Sequence, residues 1–279
     1  MRKLLSAGFS RLWKNKVFWG GVLLMAGYLV LVLVHNYRQA SLYNEAPVVI
    51  VDVYLTGCFQ FIGAFTAIFA ALFLGTEYSD GTIRNKLIAG HSRVSVYLSS
   101  LIVCAAASLM VCAVTALAAF AVGTPLMGLP ARPLDLLWKF AVGILLTIAL
   151  SAIFTLCAML IHNKPVLSVV CVVGFFLLIF ASIFVMNSLS NPEFITGAYE
   201  MTVNGDIVPM EPYPNPGYLR GVKRSVYEFF NDFLPTSQGL QISSFDSLEH
   251  PLLLSAYSAL IILGSTLAGT LLFRRKDLK

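Results

Sequence analysis

The sequence predicts an all-α membrane protein of six transmembrane helices, with an N-terminal amphipathic helix and a large outer segment between helices five and six. Three observations lead there. Of 279 residues, 58% are hydrophobic and only 12% charged, with a mean hydropathy of +0.80. Soluble domains carry about 25% charged residues, so this chain has too few charges to cover a surface in water. Long apolar runs occupy 17–34, 53–76, 96–122, 138–161, 165–187 and 251–273, each long enough to cross a hydrocarbon core of ~30 Å as a helix. What lies between the runs leaves no room for an independent soluble domain, and there is no internal repeat. The chain therefore reads as one transmembrane domain over 1–279.

Each element has its own signal. Residues 1–16 set Leu4, Leu5, Phe9, Leu12 and Trp13 among Arg2, Lys3, Arg11, Lys14 and Lys16. Charge interrupts this stretch every few positions, and no small-residue cleavage site follows the next run, so it reads as a retained helix and not a signal peptide. The breaks between runs are polar or rich in turn residues: Asn36 to Asp52, then the charged stretch 77–95, then "GTPLMGLPARP", then the short turn "HNKP". The segment 188–250 is long and rich in Pro, Gly, Asn and Asp. Within it Val222, Val226, Phe229, Phe230 and Phe233 recur at helical spacing, and Pro235 ends the pattern. That is the signature of an amphipathic helix, lying either on the membrane surface or within a small exterior lobe.

Lys and Arg in the short loops set the direction of insertion. Arg2, Lys3, Arg11, Lys14, Lys16, Arg84, Lys86, Arg93, Lys164, Arg274, Arg275, Lys276 and Lys279 fall on one side, against Arg38, Arg132, Lys139, Arg220, Lys223 and Arg224 on the other. Both termini and the 77–95 stretch are expected in the cytoplasm, and 188–250 outside.

Several chemistries find no support. No phosphate-binding loop is present; "GYLRGVKRS" has the wrong glycine spacing. The interiors of the spans lack the paired acids, histidines or arginines that proton relays and ion-coupled carriers use, with Asp135 and Lys139 only at an outer edge. Ser151, Ser168 and Ser182 have no histidine nearby and read as hydroxyls bonded to their own helices. His35, His91, His162 and His250 share no metal-ligand spacing, and Cys58, Cys104, Cys112, Cys157 and Cys171 form neither a CxxC nor a disulfide framework. No catalytic residue, metal or cofactor is expected on this chain, and no nucleic-acid partner.

The densest charge lies in "GTEYSDGTIRNKLIAGHSR", between two spans. Asp80 or Thr82 can cap a short helix with Ile83, Leu87 and Ile88 on one apolar side; Gly90 can end it in a left-handed turn, and Ser92 can cap the next span. The expected result is a short helix that exposes Ile83 and Leu87 to the cytosol inside a charged rim, a docking surface more than a solvated loop. In span two, Thr56, Gln60, Gly63, Ala67 and Ala71 form a small, partly polar face suited to close helix packing. Phe61, Phe65, Phe69 and Phe73 form an aromatic stripe that faces either lipid or a path for cargo. Gln60 should meet protein or water, since lipid cannot satisfy its amide.

The stretch "LFLGTEYSDGTIRNKLIAGHSRVSVYLSSLI" resembles the signature of type-2 ABC exporter permeases: an acid ending span two (Glu77), then Gly81–Thr82, a short apolar-basic run Ile83–Leu87, and Ser92–Arg93 opening span three. His91 stands where family members often have proline. Residues 1–16 are similar to the family's elbow helix, and "FNDFLPTSQGLQIS" to the end of its outer segment. The resemblance implies an ABC transporter permease in the cytoplasmic membrane. It would pair with a second permease subunit, as a homo- or heterodimer, and with separate ABC ATPase subunits that hold the ATP and Mg. Glu77, Asp80, Gly81, Thr82, Ile83, Arg84, Lys86, Leu87 and Arg93 would form the coupling loop, and Gln60, Phe61, Phe65 and Phe69 a translocation path. Rival readings are a non-transport membrane sensor or assembly protein, and a channel or carrier that needs no ATP.

Overall fold

The computed structural model describes residues 1–42, 51–197, 199–201, 207–209 and 211–276. Residues 43–50 of the polar loop, Asp206 of the outer segment and Lys279 of the tail lie outside the described residues.

A short amphipathic helix α1 (Arg2–Trp13) leads into α2 (Lys16–Leu42). There follow α3 (Val51–Thr56), α4 (Cys58–Ser79), the short α5 (Thr82–Ile88), α6 (Arg93–Met127), α7 (Pro133–Leu160) and α8 (Lys164–Leu189). The outer segment contributes two small antiparallel strand pairs, β1 (Phe194–Ile195) with β4 (Tyr213–Pro214) and β2 (Tyr199–Met201) with β3 (Ile207–Pro209). It then forms α9 (Gly221–Phe233) and α10 (Pro235–Ile242), and the last span is α11 (Pro251–Arg275). With α3 and α4 taken as one, six helices among the described residues are long and apolar enough to cross a membrane.

Local chemistry sets the boundaries. Pro133, Pro165 and Pro251 sit in the first turns of α7, α8 and α11, where a missing N–H costs nothing. The side chains of Asn163 and Ser92 cap α8 and α6, the latter accepting from Ser95 N at 3.2 Å. The run read as a single span over 53–76 breaks at Gly57. Just before that break, Asp52 accepts the backbone N–H groups of Ala131 and Arg132 at 3.2 and 3.0 Å, so one carboxylate fixes the loop between α6 and α7.

The helix α4 is the most buried span, with α2, α8 and α11 at the periphery. Its small face does pack closely. A Cβ added at Gly63 would lie 2.4 Å from the Phe175 ring of α8, and Ala67 and Ala71 are buried. Polar groups in the spans bond locally, as expected: Ser151, Ser168 and Ser182 donate to the carbonyls of Thr147, Lys164 and Leu178 at 2.8, 3.0 and 3.0 Å. All five cysteines are free thiols.

The outer segment departs from expectation in one part. Residues 235–242 do not stay outside the bundle. Helix α10 is inserted among α4, α7 and α8, with Thr236, Ser237, Gln238, Gly239 and Ile242 buried. Its polar residues are tolerated because each is satisfied. Gln238 donates to Asp232 O at 2.7 Å and accepts from Ser258 Oγ at 2.7 Å; Thr236 shares the Leu178 carbonyl with Ser182, its Oγ1 3.0 Å from that oxygen and 2.6 Å from Ser182 Oγ. Gly239 makes the insertion possible: a Cβ there would lie 2.8 Å from the Phe59 carbonyl oxygen. Lys139, expected at an outer edge, is 3% exposed; it donates to Ser244 O at 2.8 Å and lies 3.6 Å from Asp135. A buried ammonium requires such partners, and here the α10–α11 connection supplies one.

Candidate functional site

The charged stretch is organised around Glu77, which is 3% exposed in the last turn of α4. Two cations reach it from separate elements. Arg11 of α1 places Nη1 2.7 Å from Oε1, and Lys86 of α5 places Nζ 2.9 and 2.8 Å from the two carboxylate oxygens. Arg11 also donates through Nη2 to Phe73 O at 2.8 Å and to the Thr76 hydroxyl, and its guanidinium lies 4.5 Å from the centre of the Phe73 ring. Arginine suits this position because its planar fork serves a carboxylate, a carbonyl and an aromatic face together. One buried carboxylate thus joins the N-terminal helix, the end of span two and the short loop helix.

Helix α5 follows from its termini. Gly81 adopts the left-handed conformation (φ 67°) and starts it, with no side-chain cap from Asp80 or Thr82. At the other end Gly90 (φ 87°) takes the left-handed turn; its N–H bonds Leu87 O at 2.9 Å and that of His91 bonds Lys86 O at 3.3 Å. This pair of bonds is the Schellman arrangement, which needs glycine at the turn.

The faces of α5 correct the reading of Ile83 and Leu87. Ile83 is 1% exposed and belongs to the main core, and Leu87 packs partly buried against it. A helix of seven residues is not stable alone, so its apolar pair is used to hold it on the bundle and cannot also project into solvent. The free side carries Arg84, Asn85 and Ile88, the last 74% exposed, beside exposed Asp80. Arg93 is also turned away from the loop surface. Its Nη1 donates to the carbonyls of Phe273 at 3.2 Å and Arg274 at 3.1 Å, and to that of Lys276, so it caps the C-terminal end of α11.

Two further residues of this region carried no sequence signal beyond charge and an aromatic ring. Lys276 donates to Met159 O at 2.7 Å and to Tyr78 Oη at 3.1 Å, and Tyr78 Oη donates to Met159 O at 2.5 Å. Burial pulls the Lys276 ammonium down to about 8, and burial with the nearby Lys276 charge lowers His162. The ends of α4, α7 and α11 are joined here, next to Glu77. These contacts span sequence separations of up to 198 residues, which local patterning cannot reveal.

The path residues divide. Phe61 is 38% exposed and Phe65 lies on the wall of an apolar groove between α2 and α4; Gln60 is half-buried near the start of α4. Phe69 is fully buried. It stacks on Phe65 and Phe73 with ring centres 5.5 and 4.9 Å apart, so this part of the stripe packs inside the subunit and faces neither lipid nor a path.

Six helices able to span a membrane, with a short helix and an amphipathic N-terminal helix pinned to one carboxylate, define a multi-pass membrane protein with an organised surface at one end. The family model described as "ABC-2 family transporter protein" matches residues 4–199, and the chain belongs to that family. It is a membrane permease component of an ABC transporter. A search of the curated proteins gave no match.

Proposed function

We propose that this permease is the membrane half of an exporter. Two six-span subunits pair in the cytoplasmic membrane with both termini in the cytoplasm, and separate ATPase subunits bind there and hydrolyse ATP with Mg. The observation that carries this reading is the Glu77 junction. A force applied to α5 reaches α4 through Lys86–Glu77 and reaches α1 through Glu77–Arg11, so a partner that moves α5 moves span two and the N-terminal helix with it. The docking surface is the free side of α5, formed by Asp80, Arg84, Asn85 and Ile88. Gly81, Thr82, Ile83, Lys86, Leu87 and Glu77 set its position, and Arg93 fixes the neighbouring helix end. Gln60 remains as the part of span two that can face a cargo, while Phe61 and Phe65 face the groove between α2 and α4.

Co-purification with the cognate ATPase tests this. Ile88→Asp and Arg84→Glu should reduce the recovered complex while the permease alone melts as before, because both side chains are exposed. Recovery of the full complex with both variants would remove α5 from the interface.

A further inference from the structure

An apolar groove of about 710 Å³ lies between α2 and α4. Its walls are apolar apart from Tyr28 and Thr115, and the walls include Gly20, Gly21, Leu24, Phe61, Phe65 and Ile68. Among the described residues no charged side chain lines it. It lies within membrane-spanning helices, so water has no partners there and the occupant must be apolar.

Position and length narrow the occupant further. On α2 the groove runs from Val17 to Leu29, about 18 Å at the helical rise. One leaflet of a ~30 Å hydrocarbon core is ~15 Å deep. The Val17 end adjoins exposed Lys14 and Lys16. The same level carries Trp13 and Trp19, 51% and 45% exposed, with Trp19 Nε1 donating to Trp13 O at 2.9 Å. Exposed tryptophans and lysines of this kind mark a membrane–water boundary. The groove therefore starts at a basic interface and ends about one leaflet down, where the rings of Tyr28 and Phe61 meet edge to face at 5.5 Å.

We infer that the groove holds one acyl chain of an anionic membrane lipid, with its headgroup at Lys14 and Lys16. Gly20 lines the groove, and a Cβ there would meet no atom within 4 Å. A large side chain at 20 starts in open space and occupies part of the groove. Gly264 on α11 is equally open and lies outside the groove, which makes it the matching control.

The test is photolabelling of the intact permease in phosphatidylcholine vesicles that contain a phosphatidylglycerol with a diazirine at mid-chain. Adducts should concentrate in 17–29 and 57–68. Gly20→Phe should lower them about tenfold, and Gly264→Phe should not. Replacing Lys14 and Lys16 together by Gln should abolish the preference over a phosphatidylcholine carrying the same diazirine, while labelling by that neutral probe persists. Adducts spread evenly over α2, α8 and α11 would mean bulk lipid contact and overturn the inference. So would equal labelling by the two headgroups in the unaltered protein. Disulfide-linked dimers through Leu24→Cys and Ile68→Cys, with the probe excluded, would assign the groove to a second copy of the chain instead.

Discussion

Replacing Glu77 by Gln keeps its shape and removes its charge, and the consequence can be worked from the geometry. In the unaltered protein the carboxylate side chain is 4% exposed, and its partners Arg11 and Lys86 are 32% and 17% exposed. Both cations lie within 2.9 Å of the same oxygen. With the charge gone they face each other at less than about 6 Å, a repulsion of roughly 3 kcal/mol at an effective dielectric of 20. Partial exposure of both partners screens this, while the loss of two charge-assisted hydrogen bonds adds to it, for a net cost of ~2–4 kcal/mol. The cost should fall on the weakest attached element. That element is α5, which outside this pair is held chiefly by Ile83 and Leu87. Hydrogen exchange of the amides of 82–90 in the purified permease should accelerate roughly 30- to 1000-fold. Adding Lys86→Met to Glu77→Gln should recover part of the loss, since it removes one of the repelling charges. Exchange in Glu77→Gln within about threefold of the unaltered protein, well under 1 kcal/mol, would refute the junction.

The other expectations concern elements around it. Ile83→Ala should lower stability by about 2–4 kcal/mol because the side chain is 1% exposed in the core, whereas Ile88→Ala should change it by less than about 0.5; thermal unfolding in detergent compares the two. Gln238→Ala should cost about 2–4 kcal/mol by stranding Ser258 and the Asp232 carbonyl in the bundle, read as a lower melting temperature and faster proteolysis near α10. Lys276, lowered to about 8 from an ordinary 10.5, binds its proton less well in the folded state than in the unfolded one. Its contribution therefore opposes folding below pH 8 and is relieved as pH rises from 8 toward 10.5; NMR of the labelled amine should show a midpoint near 8, and a midpoint above 10 would contradict it.

The spans were legible because composition and run length alone specify a helix in lipid; the end of α5 and the start of α6 followed from Gly90 and Ser92, while the cap expected from Asp80 or Thr82 is not made. Periodicity named Ile83 and Leu87 as one side of α5 but could not say that this side faces inward. That depends on a bundle surface made by residues far along the chain. Ile88, grouped with them, falls on the opposite, exposed side. Helix α10 was missed for a different reason. "PTSQGLQI" is polar enough to read as loop, and its burial rests on carbonyls offered by α8, α9 and α11 and on the space left by Gly239. The Glu77 junction was half visible. Glu77 and Lys86 lie in one stretch, but Arg11 stands before the first span, far from Glu77 along the chain, and only packing of α1 against the bundle brings it there.

The central claim is that the free face of α5 lies in the cytoplasm and receives the ATPase. A single cysteine from Ile88→Cys, in a chain whose five native cysteines are replaced, measures both parts with one impermeant thiol reagent. The account predicts no labelling in intact cells, labelling in inverted vesicles stripped of the ATPase, and protection there when the ATPase is restored. Labelling from outside intact cells, or labelling in inverted vesicles that the ATPase leaves unchanged, would contradict it.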